Sequence, residues 1–230
     1  MNPEKRELWL EYANLECLYI VKIMERRRIL GLDKIEDLVE ETGDLDQDEI
    51  TLPTITENDL QKAEGPRLDP LLTSPLTDVS TNPALNGAIP MAVYSSAIAS
   101  RPDDISLLVG FYDVFVQFYP TLRFAELALN TVKQYLVEKF PGHGKTLLIQ
   151  IRDQVRGVKP TDRQYPAAFR RMMKTAAAIP TLSVKERKQC CMGLLQYLDD
   201  VDQTAGLDEN LQRVVNIFQG RVKGWQSQEG

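Results

Sequence analysis

This chain has almost no histidine: His143 is the one copy in 230 residues. Cysteine is nearly as scarce, at three, with Cys190 and Cys191 adjacent and Cys17 far away. An odd, small number of thiols is no disulfide framework and points to a reducing compartment. One histidine leaves little for metal binding or for histidine-dependent catalysis. No apolar run approaches the roughly 20 residues that cross a bilayer, so no membrane span is expected. The first residues, Met1-Asn2-Pro3-Glu4-Lys5-Arg6-Glu7, contain no apolar core, so no signal peptide is expected. A sustained two-residue alternation is missing, and so are hairpin-type glycine signals. Sheet structure is therefore not expected.

What is present is helical periodicity and an uneven charge. The net charge is −6. Residues 33–69 alone carry 13 acidic and 3 basic groups, whereas residues 101–230 carry 18 basic and 14 acidic groups. The acidic stretch therefore holds the whole negative balance. Pro and Gly punctuate it, at Gly65-Pro66, Pro70, Pro75 and Pro83. Such a block resists packing and reads as a linker over 42–83, mobile and able to lie on a partner. Residues 1–41 form one part, a long amphipathic helix and its end. Residues 84–230 form the other, a helical domain.

Spacing predicts helices over 3–30, 84–100, 104–119, 121–139, 145–157, 165–179, 183–203 and 208–224. In the first, Leu8, Tyr12, Leu15, Tyr19 and Ile23 line one face, widened by Trp9, Ile20 and Met24. Pro3 suits its first turn and Gly31 its stop. Thr121 and Ser183 are expected caps. The fold class is all-α, and the short turns fit an α-solenoid of stacked helical hairpins with a long acidic linker.

Two segments can be overlaid. Leu8-Trp9 with Tyr12 and Glu16 matches Leu108-Val109 with Tyr112 and Val116. Large apolar residues followed by Tyr suit the inner face of a hairpin's first helix, where Tyr can place its hydroxyl on a neighbouring backbone. The small residue Ala92, with Val93, Tyr94 and Ala97 and then Pro102, suits the second helix, where helices cross.

These residues resemble a half-a-TPR (HAT) repeat. Trp9, Tyr12 and Glu16 resemble its first helix; Val93, Tyr94, Ala97 and Pro102 resemble its second. Tyr112 marks a weaker second copy, with Val109 for the Trp and Val116 for the Glu. The strings from Leu8 to Asp33 and from Gly110 to Ala125 resemble the HAT-repeat family of U-three small nucleolar RNA-associated processome proteins. That family carries further N-terminal sequence, so the chain resembles its later portion. The resemblance implies a scaffold of the small-subunit processome, B subcomplex, acting in the nucleolus on the ribosomal RNA precursor. WD40 β-propeller proteins are the implied partners. Contact with pre-ribosomal or small nucleolar RNA is a further expectation; a small-molecule substrate is not.

Three local features carry candidate chemistry. Pro141-Gly142-His143-Gly144-Lys145-Thr146 is similar to the end of a phosphate-binding loop. The first glycine of that pattern is replaced by Lys139 and a helix precedes it, so a glycine turn with His143 or Thr146 near a cap is expected instead. Cys190-Cys191 cannot both face one metal from a helix; one is expected inward and one sideways, as packing residues. Residues 145–188 carry eleven basic and three acidic groups. Among them Lys145, Arg152, Arg156, Lys159, Arg163, Arg170, Arg171 and Lys174 could meet RNA phosphates or an acidic partner. Tyr165 and Phe169 are the aromatics there, too few for base stacking. No nucleophile, base and orienting group occur together, so no enzyme, cofactor or metal site is expected.

Overall fold

The computed structural model describes residues 5–30 and 83–228. Pro3, Gly31 and all of the expected linker except Pro83 lie outside them. The described residues form eight α-helices and no strand. They are α1 (Arg6–Ile29), α2 (Ala88–Ser100), α3 (Ile105–Gln117), α4 (Arg123–Lys139), α5 (Gly144–Asp153), α6 (Tyr165–Ala176), α7 (Val184–Asp202) and α8 (Glu209–Ser227). A 3-10 turn, Ile179–Thr181, precedes α7. No described helix is long and apolar enough to cross a membrane.

Helix starts follow local chemistry. Asp104 accepts a hydrogen bond from the Leu107 N–H and caps α3. Ser183 caps α7 through the Glu186 N–H, as expected. Asp208 caps α8 by accepting from Asn210 and Leu211. Thr121 does not cap α4; that helix starts two residues later, with Leu122 at the N-cap and no side-chain bond. The second helix starts at Ala88, not Ala84, because Gly87 turns the chain in a left-handed conformation with φ 78°. A Cβ there would lie 2.2 Å from the Phe124 ring, so both backbone and packing require glycine.

Burial divides the molecule into two apolar clusters. The first joins α1 to α4, around Leu108, Phe111, Phe115, Leu129 and Val132. Tyr94, Phe111, Phe115 and Phe124 contact one another edge-on or tilted inside it. The second joins α5 to α8, around Tyr165, Phe169, Met172, Leu194 and Phe218. Helix α5 serves both: Ile149 enters the first cluster, while Leu147 and Ile151 enter the second. Full burial of a Leu or Phe contributes about 1.5–3 kcal/mol relative to exposure. The contacts are α1 with α2 and α3, α3 with α4 and α5, α4 with α5, α5 with α6 and α7, and α7 with α8.

Helix α1 buries the flank of the face its spacing predicts, with Ile23 and Met24 packed partly against the core, and not its centre. Trp9, Ala13, Cys17 and Ile20 are inside. Leu8, Tyr12, Leu15 and Tyr19 are exposed. Both sets recur at helical spacing, and the smaller side chains of Ala13 and Cys17 let α1 approach α2 and α3 closely. Tyr12 and Glu16 are thus not packing residues. Glu16 lies beside the Tyr12 hydroxyl, accepts its hydrogen bond and raises that phenol's pKa. Tyr112, by contrast, is buried and Val109 is half-buried, so matched positions of the overlay differ in burial. Val93, Tyr94 and Ala97 are buried as expected, while Ala92 is exposed. Pro102 lies in the turn just after α2, where a proline ends a helix.

Candidate interaction groove

Helices α3, α5 and α7 each turn one half-polar side toward a common groove. Asp113 and Val116 come from α3, Lys145, Leu148 and Arg152 from α5, and Met192, Gly193, Gln196 and Tyr197 from α7. This part encloses ≈ 700 Å³. A second part, ≈ 490 Å³, continues past Tyr119, Pro120, Val158, Lys159 and Pro160. The two parts share Val116, Arg152, Tyr197 and Asp200. Gly193 makes room at the floor, since a Cβ there would sit 2.4 Å from a Leu148 methyl.

Half of the eight candidate cations are engaged through their side chains. Lys145 donates to Ser106 Oγ at 2.6 Å. Arg152 pairs with Asp113 at 3.1 Å. Arg156 pairs with Asp153 at 3.1 Å and lies 4.9 Å from the Tyr119 ring centre. Lys145 and Arg152 thus tie α5 to α3, and Arg156 holds the turn after α5 against Asp153 and Tyr119, which corrects the expectation of one free basic face. Lys159 is exposed, and since only its backbone N–H bonds Asp162, its ammonium stays free. Arg171 reaches the Gln154 carbonyl at 3.5 Å. Arg163, Arg170 and Lys174 are exposed and make no such bond.

Asp153 is the hub beside the groove. Tyr112 donates its hydroxyl at 3.0 Å, Lys133 its ammonium at 2.6 Å, and Arg156 its guanidinium at 3.1 Å. The Tyr112 hydroxyl therefore meets a carboxylate and not a backbone group. Burial first, and then the Asp153 charge, push its pKa upward. Across the groove the Tyr165 and Tyr197 hydroxyls meet at 3.0 Å, and burial raises both.

The phosphate-loop-like turn is occupied from within. His143 caps α5, its Nδ1 accepting from the Lys145 N–H at 3.1 Å. The Glu186 carboxylate accepts from the Gly144 N–H at 2.7 Å and sits 3.1 Å from His143 Nδ1. A carboxylate thus takes the helix N-terminus where a phosphate would bind. Thr146 is buried and not a cap. Cys190 and Cys191 are both fully buried, so neither points sideways. Among the described residues, no group of three or more His, Cys, Asp or Glu side chains could hold a metal.

The α7 lining residues Met192, Gln196, Tyr197 and Asp200 were not legible as a site. Their one signal is a mixed polar and apolar strip beside the Cys191, Leu194 and Leu198 stripe. No family model matches the chain. No curated protein sequence matches it either. The HAT-repeat resemblance therefore stands on the residues quoted for it.

Proposed function

We propose that this chain is a non-enzymatic α-solenoid scaffold that docks partner proteins along the α3–α5–α7 groove. The groove is the observation that carries the reading. Each of its helices begins a pair, α3 with α4, α5 with α6 and α7 with α8, and α3, α5 and α7 contact in succession. That order supports stacked hairpins, whose first helices line one side. The surface mixes exposed apolar groups such as Met192 with opposed charges such as Arg152 and Asp200, which suits an extended protein segment. The HAT-type residues support the assembly: the small-subunit processome in the nucleolus, with WD40 β-propeller subunits as partners. The test is co-purification after nuclease treatment. Met192→Glu with Asp200→Arg should release the partners and leave helicity unchanged. Partners retained by that variant would sink the reading.

A second reading, direct RNA contact, is favoured by one observation. Arg163, Arg170 and Lys174 are exposed without a carboxylate partner. Arg170 and Lys174 are four apart on α6 and share a face. Phosphate contacts need such charge and weaken with salt. Charge reversal of all three should abolish RNA retention in a salt series, and unchanged retention would exclude this surface.

A further inference from the structure

Helix α6 presents cations without acids of its own. Tyr165–Ala176 holds Arg170, Arg171 and Lys174 and no Asp or Glu. Arg163 stands just before it, and Lys159 in the turn that leads there. Arg163, Ala167, Arg170 and Lys174 recur at spacings of four, three and four, so they share one exposed face. The side chains of Lys159, Arg163, Arg170 and Lys174 have no partner among the described residues. Two acids lie near. Asp162 bonds the Lys159 N–H, and Glu138 of α4, which accepts from Gln134, lines a hollow with Thr175. The cations outnumber them.

The matching charge lies in the same chain. Residues 36–49, outside the described residues, carry eight acidic and no basic groups. They follow α1 closely, and contacts fix where α1 ends. Arg6 pairs with Asp104, and Leu10 packs over Gly110. Lys145 and Arg152 of α5 meet Ser106 and Asp113 of α3. Helices α1, α3 and α5 therefore run the same way. Helix α1 has 24 residues and α3 has 13, so α1 ends about 16 Å beyond α3. Arg171 reaches Gln154, and Thr175 adjoins Gln150, so α6 runs back along α5 and Arg163 stands beyond the end of α5. The acidic run thus follows α1 at the end of the molecule where the α6 face begins. Helix contacts α1–α3, α3–α5 and α5–α6 separate the two by about 25–30 Å. Extended chain carries residues 36–49 about 20–65 Å from Leu30. Other exposed cations at this end have an acid within one helical turn: Arg26 and Arg28 beside Glu25, and Arg123 beside Glu126. We propose that residues 36–49 dock on the α6 face through Lys159, Arg163, Arg170 and Lys174. The tether holds the acids at about millimolar effective concentration, so weak exposed ion pairs suffice to fill the face. Neither functional reading enters this inference.

Carbodiimide coupling of the nuclease-treated full chain, which joins lysine ammonium groups to nearby carboxylates and is read by mass spectrometry, tests it. Lys159 and Lys174 should couple to carboxylates of residues 36–49. The yield should fall at least about fivefold in about 0.5 M salt. Arg163→Glu with Arg170→Glu leaves both lysines in place. Both substitutions fall at exposed positions, so far-UV dichroism should hold while the Lys174 yield falls about fivefold or more. Three results overturn the proposal: yields no higher than those of exposed Lys185 and Lys223, yields indifferent to R163E/R170E, or coupling between copies in a mixture of isotope-labelled and unlabelled chain. The first covers the case in which RNA or another protein takes the face, and the last the case of a second copy.

Discussion

The Glu186 carboxylate accepts a hydrogen bond from the Gly144 backbone N–H across 42 residues of sequence, at 2.7 Å. The start of α7 thereby caps the start of α5. A Cβ on Gly144 would lie 2.3 Å from the Glu186 carbonyl oxygen, so the close approach needs glycine. Glu186→Gln keeps the shape and loses the charge. It should cost about 1–2 kcal/mol in urea unfolding. Gly144→Ala should cost more, about 2–3 kcal/mol, because backbone must move. Equal or smaller losses for Gly144→Ala would argue against this contact.

Asp153 holds three donors, from α3, α4 and the turn after α5, while only 8% of its side chain is exposed. Asp153→Ala leaves two cations and a buried hydroxyl without their acceptor. Roughly 3 kcal/mol of stability should be lost by equilibrium denaturation. Tyr112→Phe removes one neutral donor and should cost about 1 kcal/mol. The double variant should fall short of the sum, since both act on one network.

Tyr12 and Tyr112 provide a paired test of the repeat overlay. Tyr112→Ala empties a fully enclosed site and should cost about 3–5 kcal/mol. Tyr12→Ala acts at an exposed site and should change monomer stability by less than about 0.5 kcal/mol. Thermal melts would compare them. Comparable losses would restore the overlay as a structural equivalence.

Burial pushes the Cys17 and Cys190 thiols up to about 12, and Cys191 also upward. Native protein should therefore resist a thiol reagent at pH 8, and all three should react in guanidinium. Titration counts with and without denaturant would check this. The linkage has a definite sign. An unfolded thiol ionises near pH 8.5, whereas the native ones stay protonated. Their contribution to stability is whole below that pH and is lost as pH rises toward 12. Cys-to-Ser variants should flatten that decline.

Much of the fold was legible because it is set locally. Pro120, Pro141, Gly206 and the caps at Asp104 and Ser183 act on their own backbone, so breaks and helix class follow from residue order. Helix α3 is apolar nearly all round, and it buries Leu107, Phe111 and Val114 where its spacing favours Ile105, Val109 and Val116, which stay half-buried. The stripes of α2 and α4 were legible, since each of those helices has one clear apolar side. Helix α1 has two, and its own periodicity could not rank them. Neighbours ranked them: the smaller Ala13 and Cys17 face fits against α2 and α3, so Leu8, Tyr12, Leu15 and Tyr19 are left outside.

Residue order alone determined that this chain is helical, poor in histidine and cysteine, and divided into acidic and basic stretches. Only the tertiary structure decided which charges are free. Lys145, Arg152 and Arg156 count as cations in any sequence total, yet partners 39, 39 and 3 residues away engage them. Charge is additive along a chain, but its availability depends on what other helices bring within about 3 Å. The same reason moved the candidate RNA contacts to Arg163, Arg170 and Lys174 and filled the phosphate-like turn with Glu186.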